Sequence, residues 1–159
     1  MSYSVKVEGL AELDAALAEL PKSAQTAVLR RVGLTALAPF VEAVRSLAPV
    51  DADPANTPKR PPGTLRDSYH AGTKLNKSQA KAARKAGKSS VEVYAGTNDA
   101  AGVQTEFGNT HQGAQPHARP AWDSTGGTVL AIVKQELGGE IDKAAQRLAR
   151  RAARLAAKG

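Results

Sequence analysis

Leucines recur every three or four positions from Leu10 to Leu20, the spacing that places side chains on one face of an α-helix. We expect a short amphipathic helix here, ended by Pro21, because proline lacks a backbone donor. Before it, Tyr3–Val7 alternates weakly between apolar and polar residues. That alternation predicts a short N-terminal strand.

A second apolar stripe predicts a longer helix over residues 23–47, with Ser23 as its N-cap. The stripe consists of Val28, Val32, Ala36, Phe40, Val44 and Leu47. Leu29, Leu37 and Val41 widen it, which is typical of a helix covered on two sides. Pro39 lies inside the pattern, so we expect the helix to kink or divide there.

The middle of the chain changes to patterns typical of loops and strands. Five prolines make residues 49–63 a long, helix-free loop. Residues 64–75 are predicted to form a strand with Leu65 and Tyr69 pointing inward, and residues 90–95 a second strand with clean alternation. Between them, residues 74–90 form a basic insert, either a short exposed helix or a hairpin tip.

The C-terminal segment, residues 121–159, is again helical in pattern. Its apolar positions run to Leu137, and a heptad-like set follows from Ile141 to Leu155. Gly138-Gly139 predicts a break between the two parts. The order of helices, strands and helix predicts one α+β domain over 1–159, with long helices packed on one face of a small antiparallel sheet. Its parts are an N-terminal strand and helices (1–48), the loop (49–63), a β-rich region (64–120) and the C-terminal helical segment.

Composition agrees with a single domain of ordinary size. The chain has 159 residues, of which 42% are hydrophobic but only 4% aromatic, so small aliphatic side chains must fill most of the core. It has no cysteine, which excludes disulfides and thiolate chemistry. No apolar run reaches the roughly 18 residues of a membrane span, and the first residues do not resemble a signal peptide. We expect a protein made in the cytoplasm without membrane contact.

The net charge of +7 is unevenly distributed. Residues 59–88 hold nine basic residues and one acid, and residues 143–159 hold six basic residues and no acid. Such regions attract nucleic acid or acidic protein surfaces, or simply form a solvated face. Possible phosphate contacts in the last helix are Arg147, Arg150, Arg151 and Arg154.

Candidate catalytic and metal-binding patterns are weak. His111 and His117 are six residues apart in a Gly/Pro segment, which is not the helical pair of a zinc hydrolase. Ser68 and His70 are not accompanied by the sharp turn that presents a nucleophilic serine. No phosphate-binding loop is present, and few aromatics are available to stack on bases. We therefore expect no enzyme activity, cofactor or metal.

Two ordered sets of short motifs are more specific. The first is Ala48-Pro49 followed after the loop by GTLRDSY at 63–69. The second is VYAGT at 93–97, TEFGNT at 105–110 and QPHARPA at 115–121. With the opening VEGL at 7–10, they resemble the HK97 gp10-like family of bacteriophage tail-completion and neck proteins. His117 and Ala118 depart from the large apolar residues usual in that family, and the proline-rich loop is longer.

The motif residues are expected to serve the fold or an interface. Gly108 permits a sharp turn, and Pro120 lies in a first helical turn. Glu106 and Arg119 either form an ion pair across the corner or are two exposed charges that contribute little. Arg66 and Asp67, on a strand, are expected to face opposite sides. The full set of candidates is Arg66, Asp67, Glu106, Phe107, Gly108, Arg119, Pro120 and Trp122.

The resemblance implies a structural virion protein of a siphovirus-like phage or phage-like particle, placed at the head–tail junction and assembled in the host cytoplasm. Its partners would be copies of itself in a closed ring, with six as the first expectation, and neighbouring neck, tail-terminator or tail-tube proteins. Contact with double-stranded DNA in the lumen is a further expectation. Three alternatives stay open. They are a non-sequence-specific DNA-binding protein using the basic last helix, a tail assembly factor absent from the mature particle, and a hydrolase in which a histidine would lie next to a carboxylate or a serine.

Overall fold

Three helices form the N-terminal part of the computed structural model, which describes residues 10–50, 61–73 and 91–157. They are α1 (Leu10–Ala18), α2 (Lys22–Ala36) and α3 (Ala38–Leu47). Leu37 is both the C-cap of α2 and the N-cap of α3, so the long predicted helix is divided. Pro39 lies in the first turn of α3, where its missing N–H has no helical acceptor to lose.

The N-cap of α2 is Pro21, and the prediction of Ser23 is wrong. The backbone of Pro21 is already extended, with φ −55° and ψ 144°, which places Ser23 inside the helix. The Pro21 carbonyl accepts hydrogen bonds from the amides of Ala24 and Gln25, at 2.8 and 3.0 Å. The helix therefore starts after Pro21 because the ψ of that residue is extended, and no side chain caps it.

The region after the proline-rich loop is less extended than expected. Residues 64–75 were predicted as a strand, but Thr64–Ser68 forms a short helix, α4, and only His70–Gly72 forms a strand, β1. Leu65 and Tyr69 are buried as predicted. Their spacing of four suits one face of a strand and one face of a helix equally, and the left-handed Gly63 (φ 82°) directs the chain into a helical turn.

The sheet of the described residues has two short antiparallel strands. Strand β2 (Tyr94–Gly96) pairs with β1 in the register His70↔Gly96, Ala71↔Ala95 and Gly72↔Tyr94. Within the described residues, the strand predicted at 90–95 is shorter than expected and extends from Tyr94 to Gly96. The strand prediction for Tyr3–Val7, most of the proline-rich loop and the basic insert at 74–90 lie outside the described residues.

Two further helices follow the sheet. Helix α5 (Ala100–Phe107) was not predicted; the Asp99 side chain caps it by accepting from the amide of Ala101 at 2.9 Å. Helix α6 (Ala118–Ala156) runs for 39 residues without interruption, so the break predicted at Gly138-Gly139 is wrong. A Cβ at Gly138 would lie 3.5 Å from Leu13, which shows how closely α1 approaches at this point.

Helix α6 is the central element of the core. Its first half packs against α3, α4 and the sheet; the buried residues are Ala36, Phe40, Val44, Ala48, Leu65, Tyr69, Ala121 and Val129. Its second half packs against α1 and α2; the buried residues are Leu20, Val28, Val32, Leu137, Ile141 and Ala144. The described residues are thus mostly helical with a small antiparallel sheet, the coarse form of the predicted α+β class. Among their helices, not one combines the length and apolar character that crossing a membrane requires.

Candidate functional site

A buried glutamate joins the end of α5 to the start of α6. Glu106 Oε2 accepts hydrogen bonds from the amides of His117 and Ala118, at 2.7 and 2.9 Å. Its Oε1 accepts from the amide and the Nε of Arg119, at 3.2 and 3.0 Å. The first amides of a helix have no partner within the helix, so Glu106 caps α6 from outside.

This environment keeps the Glu106 carboxylate ionised. Burial alone would raise its pKa, because a charged group loses water. Together, the hydrogen bonds from His117, Ala118 and Arg119 outweigh the effect of burial and lower the pKa of Glu106 from 4.5 to about 2. The predicted ion pair with Arg119 is confirmed, and it belongs to a buried cap rather than to two exposed charges.

His117 ties the same corner to the first motif. Its ring is fully buried, and its Nε2 lies 2.6 Å from the hydroxyl of Tyr69. Its Nδ1 lies 3.0 Å from the carbonyl of Gln115, which can only accept, so Nδ1 carries a proton. In the neutral ring Nε2 then accepts from Tyr69. Burial, and then the charge of Glu106, raise the pKa of Tyr69, which keeps its hydroxyl proton available for this bond.

Tyr69 is also held in place by helix α3. Arg45 of α3 donates to the Tyr69 carbonyl through Nε at 3.0 Å and Nη2 at 2.6 Å. The Tyr69 and His117 rings meet edge to face, with centroids 5.6 Å apart. A continuous chain of contacts therefore runs from α3 through Tyr69 and His117 to the first turn of α6.

Above this buried corner lies an exposed apolar surface, which we call the outer face: Val103, Phe107, Arg119 and Trp122. Val103 and Phe107 are four residues apart on α5, and each is 65% exposed. The Arg119 guanidinium lies over the Phe107 ring at 5.1 Å, a cation–π contact. Trp122 follows Arg119 by one turn of α6 and is anchored by an edge contact to Phe40. The contacts with Arg119 and Phe40 thus hold the large apolar side chains of Phe107 and Trp122 in exposed positions.

The structure also tests the predictions for Gly108 and Pro120, two motif residues at this corner. Gly108 has a φ of 75°, and a Cβ there would lie 2.8 Å from the amide of Ala114, so the predicted sharp turn is confirmed. Pro120 lies in the first turn of α6, as predicted. Both residues shape the path from α5 into α6.

Arg66 and Asp67 do not face opposite sides as predicted. They lie on helix α4, and the Arg66 Nε donates to the Asp67 carboxylate at 2.9 Å. Their hydrogen bond lowers the pKa of Asp67 and raises that of Arg66. Consecutive helical residues can pair in this way because both side chains are solvent-exposed and long enough to turn toward each other. An exposed pair of this kind contributes little to stability.

The hydrogen bonds of the buried corner hold the fold together at the junction of α5 and α6. Glu106 accepts four hydrogen bonds, which use the acceptor sites of a carboxylate, and both His117 nitrogens are engaged. Among residues 10–50, 61–73 and 91–157, no group of three or more potential metal ligands comes together. The candidate phosphate contacts, from Arg147 to Arg154, lie on the exposed far end of α6.

Sequence reasoning found the pair of Glu106 and Arg119 but missed the hydrogen bond between Tyr69 and His117. A weak signal for it was present, because the first motif set carries Tyr69 and the second carries Tyr94 and His117, which are aromatic side chains with polar atoms. It also missed the buried Glu140 of α6, which pairs with Arg31 and with Lys143, the latter at 3.0 Å. The Lys143 and Arg31 hydrogen bonds lower the pKa of Glu140.

Comparison with known proteins adds no relative. No family model matches this chain. No curated protein and no solved structure matches it either.

Proposed function

We propose that this chain is a structural virion protein of a siphovirus-like phage or phage-like particle. It forms part of a ring at the head–tail junction, as a neck or tail-completion component, and mediates tail attachment. Six copies in a head-to-tail ring is our first expectation. The proposal starts from the ordered motifs that resemble the HK97 gp10-like family.

The observation that carries the proposal is the meeting of both motif sets in one corner. Tyr69 belongs to the first set, and Glu106, His117 and Arg119 belong to the second. The two motif sets are far apart in sequence, yet Tyr69 of the first contacts His117 of the second. Glu106 caps the helix that begins directly after His117. The motif order thus has a structural reason: these residues build one rigid joint between α5 and α6.

The outer face supports a role in assembly. A monomer in water gains nothing from holding Val103, Phe107 and Trp122 outward, and exposed apolar groups of this kind mark interaction sites. Large aromatics and arginine are also the residues enriched in the energetic centre of protein interfaces. In a ring, the same surface of every subunit would contact a different surface of the next one.

Substitution of the outer face tests the proposal in particles. A phage lacking this gene is complemented with wild type, Phe107→Ser or Leu155→Ser, and heads, tails and complete particles are counted by electron microscopy. Leu155 is the matched control, because it is 64% exposed but lies far along α6 from the outer face. We expect Phe107→Ser to leave heads and tails unjoined, and Leu155→Ser to give complete particles.

The purified variants must first show equal helical content, so that a loss reflects assembly and not folding. Complete particles in normal yield with Phe107→Ser would contradict the use of the outer face. Mass spectrometry of purified particles separates the assembly-factor alternative. A factor that leaves before maturation would be absent from particles while its deletion still blocks tail joining.

A further inference from the structure

The last two turns of α6 lie outside the core that the described residues form. Leu148 is the final residue that is packed, against the cluster formed with α1 and α2. Every residue from 149 to 157 is exposed. At 1.5 Å per residue, the eight residues from Ala149 to Ala156 form a free helical end about 12 Å long.

Four arginines share one side of this end. At about 100° per residue, Arg147, Arg150, Arg151 and Arg154 fall within an arc of about 100°. They span about 10 Å along the axis, and all four are exposed. We call this set the arginine ridge.

Within the described residues, the ridge has no internal counter-charge. No hydrogen bond or ion pair connects its four guanidinium groups to residues 10–50, 61–73 or 91–157. No acidic residue occurs from Lys143 onward. Each arginine instead has like charges three or four positions away, an arrangement that destabilises an isolated helix. The negative end of the helix dipole opposes this only in part, so the ridge is a surface suited to a polyanion.

We propose that the arginine ridge binds the phosphate backbone of double-stranded DNA, without sequence preference. The planar guanidinium matches phosphate geometry with two donors. Between the arginines lie mostly alanines, with no aromatic side chain of the kind that centres a protein interface.

This inference deepens the proposed function by naming DNA as a partner of the ring, and it rests on that function only for the biological setting of the contact. The ridge itself is a property of the isolated chain. The binding experiment below uses that chain alone, whereas the place of the protein in particles is tested on particles. Failure of one therefore does not entail failure of the other.

Salt-dependent binding to a labelled 20-base-pair duplex of random sequence tests the inference. Fluorescence anisotropy is measured for the full chain between about 50 and 200 mM KCl, where each phosphate contact adds about −0.9 to the slope of log K against log salt. We expect Arg151→Gln with Arg154→Gln to make the slope shallower by about 1.8 and to weaken binding about tenfold or more at low salt.

The matched control removes the same charge elsewhere. Arg30 and Lys134 are exposed and lie outside the ridge, so Arg30→Gln with Lys134→Gln should change the slope little. Arg151→Lys with Arg154→Lys keeps the charge and should keep most of the slope. Circular dichroism confirms that all variants are folded.

Three results would overturn the inference. The first is absence of duplex binding by wild type at the lowest salt. The second is an equal loss in the ridge and control variants, which would mean that net charge alone drives binding. The third is equally tight binding of poly-glutamate at the same salt, which would indicate an acidic protein surface as the partner of the ridge.

Discussion

Replacing Glu106 by glutamine tests the buried cap that holds α5 against α6. Each tenfold change in an equilibrium constant corresponds to about 1.4 kcal/mol, so a pKa lowered from 4.5 to about 2 makes the ionised carboxylate worth about 3 kcal/mol. Glutamine keeps one acceptor oxygen but points an NH₂ group at N–H donors. We therefore expect Glu106→Gln to lower the free energy of unfolding by about 3 kcal/mol at pH 7, a large part of the 5–15 kcal/mol typical of a domain.

The same substitution predicts a pH dependence with a definite sign. When folding lowers the pKa of a carboxylate, its contribution to the free energy of unfolding is complete at pH values above its pKa in the unfolded chain. That contribution disappears as the pH falls through its pKa in the folded protein. The contribution of Glu106 is therefore complete above pH 4.5 and decreases toward pH 2. The difference in stability between wild type and Glu106→Gln should narrow across that window, because other carboxylates titrate in both proteins and cancel.

Urea unfolding followed by circular dichroism, from pH 7 down to pH 2, measures this difference. Glu12→Gln is the control, because Glu12 is exposed on α1 and its loss should change stability by less than about 0.5 kcal/mol. Equal stabilities of wild type and Glu106→Gln at pH 7 would show that the buried carboxylate does not stabilise the fold. A difference in stability that stays constant from pH 6 to pH 2 would show that the carboxylate charge is not its source.

Three further substitutions test the surroundings of the cap, with thermal unfolding as the assay. Tyr69→Phe leaves the buried Nε2 of His117 without a donor and should cost about 1–3 kcal/mol; an unchanged Tm would mean the bond contributes nothing. Gly108→Ala should cost about 1–3 kcal/mol, because φ 75° with ψ 174° is a glycine conformation and the new Cβ would meet Ala114. Gly127→Ala, in open space within α6, should instead raise stability by about 0.5–1 kcal/mol, and a loss there would contradict the described helix.

Helices with an apolar face were predictable from the sequence, and helices with a polar buried face were not. The stripe through Val28, Val32 and Val44 predicted the region that forms α2 and α3, because these residues fill the core. Helix α5 lacks such a stripe. Its buried residues include Thr105 and Glu106, while Phe107 is exposed, so hydrophobic periodicity carried no signal for it.

Contacts that depend on how the helices pack against one another could not be predicted from the sequence either. Opposite charges made the pair of Glu106 and Arg119 predictable, but the backbone amides that complete the cap depend on where α6 begins. Gly138 was predicted to break the helix because glycine is a poor helix former. In the fold it lies against Leu13, and packing along both sides of α6 offsets that local preference.

Cryo-electron microscopy of purified particles from the source shows whether and where this chain is present in the virion. We expect density for the chain in a closed ring between the head and the tail tube, with the outer face in contact with a neighbouring subunit or ring. Intact particles that contain no density for the chain at the head–tail junction would contradict the assignment as a virion protein.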